Sequence, residues 1–280
     1  MTIEAVILGC GSSGGVPRVG AGWGACDPHE PRNRRLRCSL LVERRSETGV
    51  TRVLVDTSPD LREQLLAAEV DSLDAVLFTH AHADHTHGID DLRPLSVLNR
   101  RRIEIWADST TSVALRSRFG YCFSTPAGSD YPPILRERRL EPGRPITVDG
   151  PGGPITATPF AVEHGNMPAL GFRFGDLAYT PDVSGVPGES RRWLEDLEIW
   201  IIDALRHTPH PSHFSLAEAL LWIAQLQPQA AILTNMHTDL DYNRLLSELP
   251  PGIVPAHDGL RIEFTDRSTA VAPRMLLGAR

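Results

Sequence analysis

Leu77–Gly88, LFTHAHADHTHG, is the stretch on which the fold turns. Four histidines and an aspartate fall between His80 and His87, directly after the apolar run DAVLFT (Asp74–Thr79). A short, fully apolar run of this kind reads as a buried strand whose C-terminal end delivers the cluster. Residues two apart share one face of an extended chain, so His80 and His82 can turn their imidazoles toward one cation. Asp84 and His85, in the turn beyond, can reach a second position a few ångströms away. Imidazole nitrogen and carboxylate oxygen are suitable ligands for zinc, manganese or iron. The competing reading is a solvated polar loop. It is the weaker one, because unpaired histidines gain nothing from crowding at the end of a buried strand. His87 lies outside the spacing and reads as a surface residue or one standing behind the ligands.

Around this stretch the chain alternates short β-branched runs with helical patterns. IEAVILGC (Ile3–Cys10), CSLLVER and RVLVDT read as strands, and a Gly-rich turn, GSSGGVP, follows the first. Ser58 and Pro59 predict a helix start, with the helix running to about Glu69. Further strands are expected at RIEIWA, PITATPFAVEH, LGFRF, LAYTPD, EIWIIDA, QAAILTN and LRIEF, and a short helix near Tyr242–Leu249. SLAE, with Ser215 and Glu218 three apart, is a capping box that opens another helix. Gly120–Pro133 is the longest irregular insertion. Strands that end in polar residues in both halves point to one layered α/β domain, residues 1–265, with a site along the strand ends. Residues 266–280 read as a tail.

Composition narrows the function classes. With 41% hydrophobic and 22% charged residues among 280, a sizeable core is affordable within one large domain. Thirty-five acidic against 28 basic side chains, a formal charge of −7, do not favour a nucleic acid polymer as partner. No stretch approaches the roughly 18 apolar residues of a membrane span. The N-terminus lacks the basic region of a secretory signal. Cys10, Cys26, Cys38 and Cys122 lack CxxC spacing and read as buried thiols of a cytoplasmic protein. Arg32, Arg34, Arg35 and Arg37, like Arg100–Arg102, read as solvated or paired loop residues, with room for one or two of the first group to bind a phosphate.

One loop cannot hold two metals. His164 (VEHGN), Asp182 (YTPDVSG) and His237 (TNMHTD) each follow a predicted strand directly, and together they supply the missing ligands. With these in place, the chain resembles the metallo-β-lactamase superfamily over nearly its whole length. THAHADH matches the family's second motif, His164 the third, Asp182 the fourth, His237 the fifth, and Asp56 in LVDTS the first. The resemblance implies a four-layer αββα sandwich. It also implies two divalent metal ions, zinc or manganese in the first place and iron as a third choice. His80, His82 and His164 would hold the first ion; Asp84, His85 and His237 would hold the second, with Asp182 bridging. Asp56 would orient ligands from behind, and Asp84 would also belong to the catalytic group.

Two further stretches choose a branch. VILGCGSSGGVP resembles the opening of the phosphodiesterase branches. PHPSHFSLAEAL, after IIDA, resembles the cyclic phosphodiesterases of the carbon–phosphorus lyase pathway, in which an additional active-site histidine follows a strand-end aspartate. Here these are His213 and Asp203, with His213 as general acid; His207 and His210 read as bystanders. The type members of that branch hold a structural zinc through three N-terminal cysteines and a later histidine. In GWGACDPHEPRNRR only Cys26 remains, and the later position is Leu240. No additional structural zinc is therefore expected. The Glu that marks the flavodiiron branch is absent from the second motif.

The expected function is hydrolysis of a small phosphodiester, a cyclic nucleotide or ribosyl cyclic phosphate, through a metal-bridging hydroxide. The expected partner is a small phosphorylated substrate, a nucleotide among the candidates, with no membrane; a homodimer is compatible with the sequence. Three alternatives are a thioester or lactone hydrolase of the hydroxyacylglutathione type, a tRNA 3′-processing endonuclease and a non-catalytic metal-binding accessory protein.

Overall fold

In the computed structural model, which describes residues 2–265, two seven-stranded mixed sheets face each other. The first holds β1 (Thr2–Gly9), β2 (Ser39–Ser46), β3 (Gly49–Val55), β4 (Ala75–Leu77), β5 (Ile103–Ala107) and β6 (Leu135–Arg139). The second holds β7 (Ile146–Val148), β8 (Ile155–His164), β9 (Met167–Phe174), β10 (Leu177–Thr180), β11 (Ile199–Asp203), β12 (Ala230–Thr234) and β13 (Ile253–Pro255). The last strand, β14 (Arg261–Phe264), returns to the first sheet beside β1. Each half runs antiparallel first and then switches to parallel pairing, at β3–β4 and at β10–β11. Metal-ligand types leave the strands near these switch points, where ligands gather in open α/β sheets.

Alternation along the strands shows why the first sheet reads as unbroken apolar runs. Ala5, Ile7, Leu40, Val42, Val53 and Val55 join the core between the sheets. Their neighbours Val6, Leu8, Leu41 and Leu54 join a second core under the helices. Both faces are buried, so period-two polarity disappears. The outer helices on that side are α1 (Leu61–Ala67), α2 (Ala83–Thr86), α3 (Arg93–Leu98) and α4 (Ser109–Phe119). On the other side α5 (Leu216–Leu226) and α6 (Tyr242–Glu248) cover the second sheet. This is the expected αββα arrangement.

Local chemistry sets the helix starts. Ser215 Oγ accepts from Glu218 N while Glu218 accepts from Ser215 N, so the capping box forms as read. α1 begins at Leu61, three residues after Ser58. Ser58 Oγ accepts from Asp60 N at 3.1 Å and donates to Gln64 Oε1 at 2.9 Å, closing a turn ahead of the helix. α4 and the charged edge strand β6 (LRERR) carry little apolar periodicity and were not expected. β6 forms because its backbone pairs with β5 while its Arg138 meets Glu104 of β5 and its Glu137 meets Arg116 of α4. Residues 266–280, expected as a tail, lie outside the described residues.

Candidate metal centre

Asp56 closes β3 in the left-handed region (φ 65°), which Asp and Asn enter at least cost among non-glycine residues. This turn folds a fully buried carboxylate back onto the end of β4. Its Oδ1 accepts from Thr79 N at 2.8 Å, and its Oδ2 accepts from Thr79 Oγ1 and His85 Nδ1, each at 2.7 Å. Thr79 Oγ1, its proton committed to Asp56, accepts from His80 Nδ1 at 2.9 Å. Asp56 thus fixes two histidines, His85 directly and His80 through the Thr79 hydroxyl.

With both Nδ1 atoms engaged, His80 and His85 turn their Nε2 atoms toward Asp182. His164, at the end of β8, donates from Nδ1 to the Ser212 carbonyl at 2.7 Å and also turns Nε2 toward Asp182. His82 Nδ1 lies 2.9 Å from His80 Nε2 and 3.2 Å from His164 Nε2. Asp182 follows β10 and spans the cluster. Its Oδ2 is 3.6 Å from both His80 Nε2 and His164 Nε2, and its Oδ1 is 3.3 Å from His85 Nε2. Asp84 Oδ2 is 3.5 Å from the same His85 nitrogen. Two groups with metal-holding potential therefore share one carboxylate: His80, His82, His164 and Asp182, and Asp84, His85 and Asp182.

The donor set fits divalent cations. The Nε2 atoms of His80 and His164 lie at contact distance from His82 Nδ1, and Asp182 Oδ1 is buried without a hydrogen-bond partner. Buried polar atoms seldom go unpaired, and a cation between them satisfies all of them. Electrostatics separate the two histidines that Asp56 holds. Burial, followed by the charge of His85, holds His80 well below the ordinary histidine value. His85 feels the same burial, yet the carboxylates of Asp182, Asp84 and Asp56 outweigh it and raise its pKa well above the ordinary value.

His237 stands apart from both groups. It lines the same cavity, of about 270 Å³, but its Nε2 is covered by the Arg18 guanidinium, 219 residues away in sequence. A guanidinium only donates, so this nitrogen accepts from Arg18. Its Nδ1 lies 3.1 Å from Thr238 Oγ1.

His213 also lines the cavity, its ring 4.7 Å from that of His164. Its Nδ1 donates to Asp203 Oδ2 at 2.8 Å, so Nε2 is free of that partner. Asp203, fully buried at the end of β11, also accepts from Val183 N and from Asn235 Nδ2. Burial pushes Asp203 up to about 7. Burial pulls His213 down, but the hydrogen bond and charge of Asp203 outweigh it and raise its pKa above the ordinary value.

Several cavity residues escaped the sequence reading. His210 lines it beside His213, whereas His207 is exposed. Arg18, Arg206, Ser12 and Asn235 line it too. Asn235, in the left-handed region at the end of β12 (φ 59°), mirrors Asp56 at the end of β3; a strand-end Asn was the signal available. All four cysteines are free and buried, and Cys26 Sγ donates to the Leu240 carbonyl beside Arg35.

Residues 51–236 match the family described as a beta-lactamase superfamily domain. The chain belongs to the beta-lactamase superfamily. It is 35% identical to a solved diphosphatase from the PhnP family, with a TM-score of 0.84 over 94% of this chain and 98% of that one. The superfamily, and the branch that the sequence resembles, are therefore those found. An octanoyltransferase of Porphyromonas gingivalis (strain ATCC BAA-308 / W83) is 34% identical over 273 residues, 96% of this chain and 53% of that protein. A ribonuclease Z of Bradyrhizobium sp. (strain ORS 278) is 33% identical over 161 residues, 55% of this chain and 48% of that protein. The chain spans about half the length of these curated relatives. Membership supports a metal-dependent hydrolase. No helix among the described residues is long and apolar enough to cross a membrane.

Proposed function

We propose that this protein hydrolyses a small phosphodiester, a cyclic nucleotide or ribosyl cyclic phosphate, in the cytoplasm. His80, His82 and His164 would hold one divalent cation, and Asp84, His85 and His237 the other, with Asp182 shared. When bound, the cations supply an activated water and neutralise charge on the phosphoryl oxygens; zinc and manganese suit these ligands best, and iron is accepted. Asp56 holds His80 and His85 by their Nδ1 sides, so that each Nε2 faces Asp182. His237 becomes available once Arg18 withdraws.

One observation carries the phosphodiester reading: His213 stands beside the ligands, belongs to neither group, and is braced by a buried carboxylate. Protonated at Nε2, it faces the cavity as a general acid. An alkoxide leaving group needs that proton, whereas a thiolate, with a thiol pKa near 8.5, leaves without it. This weighs against the thioester reading, and the likeness to a diphosphatase favours phosphorus over carbon as the attacked centre. A carrier or accessory protein has no use for His213. That same likeness supports one second reading, a diphosphate substrate, whose phosphate leaving group depends less on His213.

The test is turnover by zinc- and manganese-loaded protein of bis(p-nitrophenyl) phosphate and 2′,3′-cyclic nucleotides. A nucleoside diphosphate, a thioester, a lactone and a precursor tRNA serve as comparison substrates. Metal-dependent cleavage of the diesters is expected. Turnover of the thioester, the lactone or the tRNA with none on the diesters refutes the proposal.

A further inference from the structure

Expected as a solvated or paired loop residue, Arg35 is instead 1% exposed, and among the described residues no carboxylate pairs with it. Elsewhere in this acidic chain buried or half-buried arginines do find one, as Arg37 does in Asp60 and Arg52 in Glu43. The Arg35 fork is spent on neutral groups. Nη1 donates to the His237 carbonyl at 3.3 Å and lies 3.9 Å from Cys26 Sγ. Nη2 donates to the Leu240 carbonyl at 2.7 Å and to Asn33 Oδ1 at 3.2 Å. A guanidinium is always charged, and taking that charge out of water without a counter-ion is costly. Oriented carbonyl and amide dipoles stand here where a carboxylate would.

These acceptors belong to two distant segments. Cys26 and Asn33 lie in the loop ahead of β2, and His237 and Leu240, 202 and 205 positions beyond Arg35, lie in the turn after β12. The same two segments meet again through Asn33 Nδ2, which donates to Asp241 Oδ2 at 2.6 Å, and Ala25 N, which donates to the Thr238 carbonyl at 2.8 Å. At Gly24 (φ 59°) a Cβ would fall 2.7 Å from that carbonyl oxygen, so glycine permits the approach. Arg35 is itself fixed, because its backbone exchanges two bonds of 2.9 Å with Val16.

The consequence falls on His237. Its backbone N donates to the Leu205 carbonyl at 2.8 Å, and its own carbonyl accepts from Leu240 N at 3.2 Å and from Arg35 Nη1. The peptide is held on both sides, while the side-chain torsions stay free to swing the ring from Arg18 toward the cavity. A ligand whose backbone is fixed before the ion arrives gives up less freedom on binding it.

We propose that Arg35 is a positioning residue: its guanidinium fixes the His237 peptide beside the cavity and so sets the affinity of the second cation, without touching ion or substrate. This rests on the reading in which His237 is a ligand of that cation. Lysine is a poor substitute, because a compact ammonium lacks the planar fork that spans both segments.

The test titrates manganese into chelator-treated, metal-free protein against a competing fluorescent chelator, which needs no turnover. Wild type is compared with Arg35→Met, Arg35→Lys, His237→Ala and the Arg35→Met/His237→Ala double variant, each checked for a cooperative melting transition. Wild type should bind two ions. His237→Ala and Arg35→Met should each weaken the second by about 10–100-fold, the range for groups that orient a ligand, and leave the first within about twofold. Arg35→Lys should fall between Arg35→Met and wild type. In the double variant the second ion should be held no more weakly than in His237→Ala alone, because Arg35 acts through that residue. A merely structural role would lower both affinities or add to the His237→Ala loss. Either result overturns the proposal, as does an unchanged second affinity in Arg35→Met. Should Arg35→Met fail to fold, Arg35→Lys is read by the same criteria. A His237→Ala variant that keeps both ions at wild-type affinity refutes the ligand reading and the proposal with it. Loss of the second ion in His237→Ala but not in Arg35→Met refutes the proposal alone.

Discussion

His213 Nδ1 lies 2.8 Å from Asp203 Oδ2, and the same carboxylate accepts from the backbone of Val183. The second oxygen is taken by Asn235 Nδ2 at 3.1 Å. Asp203 is therefore held from three sides, and the imidazole it braces has one orientation available. His213→Ala should leave metal content and fold intact. It should lower kcat by about 10²–10⁴-fold on alkoxide leaving groups, the usual contribution of a positioned proton donor. The loss should shrink for p-nitrophenolate, which needs little protonation. Equal losses on both substrates would point to phosphate binding instead.

Asp182 offers one oxygen to each group of ligands, so its loss reaches both. Asp182→Ala should abolish turnover and reduce the tightly bound metal below two per chain, read by elemental analysis after gel filtration. Retention of two metals would show that the carboxylate is not shared.

Cys26 is buried against the Leu240 carbonyl and Arg35. Cys26→Ser should leave metal content unchanged and lower stability by about 1 kcal/mol, as is typical of a small change at a buried site. A third zinc per chain, lost in this variant, would overturn that expectation.

Asp258 gives a pH-dependent stability unrelated to the metal ligands. Its carboxylate accepts from Leu36 N at 2.7 Å and Cys10 N at 3.1 Å, joining the loop around β1 and β2 to the approach to β14. Burial nevertheless pushes it up to about 7, against roughly 3.9 in an unfolded chain. Between those values the folded state binds more protons than the unfolded one, so this group's contribution falls as pH rises from about 4 to about 7 and levels off above. Three units correspond to at most about 4 kcal/mol. In Asp258→Asn that slope should vanish, so urea midpoints at pH 5 and pH 7.5 should differ less than in wild type. An undiminished difference would place the titration elsewhere.

Much of the centre is legible before any folding is known. The spacing of His80, His82, Asp84 and His85 behind an apolar run marks a strand end with candidate ligands on it. His164 and Asp182 are found by the same rule, that a polar side chain directly after a buried strand sits at the rim of a sheet; His237 obeys the rule and yet stands outside both groups. The capping box at Ser215 is equally local, because both of its hydrogen bonds form within four residues. These features obey the short-range geometry of strands and helix ends, so the sequence alone determines them.

The tertiary structure decides what those candidate ligands face. Ser212 fixes His164 through a backbone carbonyl, which any residue type would offer. Arg18 reaches His237 across 219 positions, and Asn235 reaches Asp203 only because β11 and β12 are paired neighbours. Nor does the sequence say that the turn at Asp56 bends the chain into the left-handed region, aiming one carboxylate at Thr79 and His85. Such contacts depend on where strands far apart in the chain come to lie, and a guanidinium or an amide carries no periodic signal that would announce its partner. Residue type and spacing mark the candidate ligands; packing of the two sheets decides which of their atoms meet.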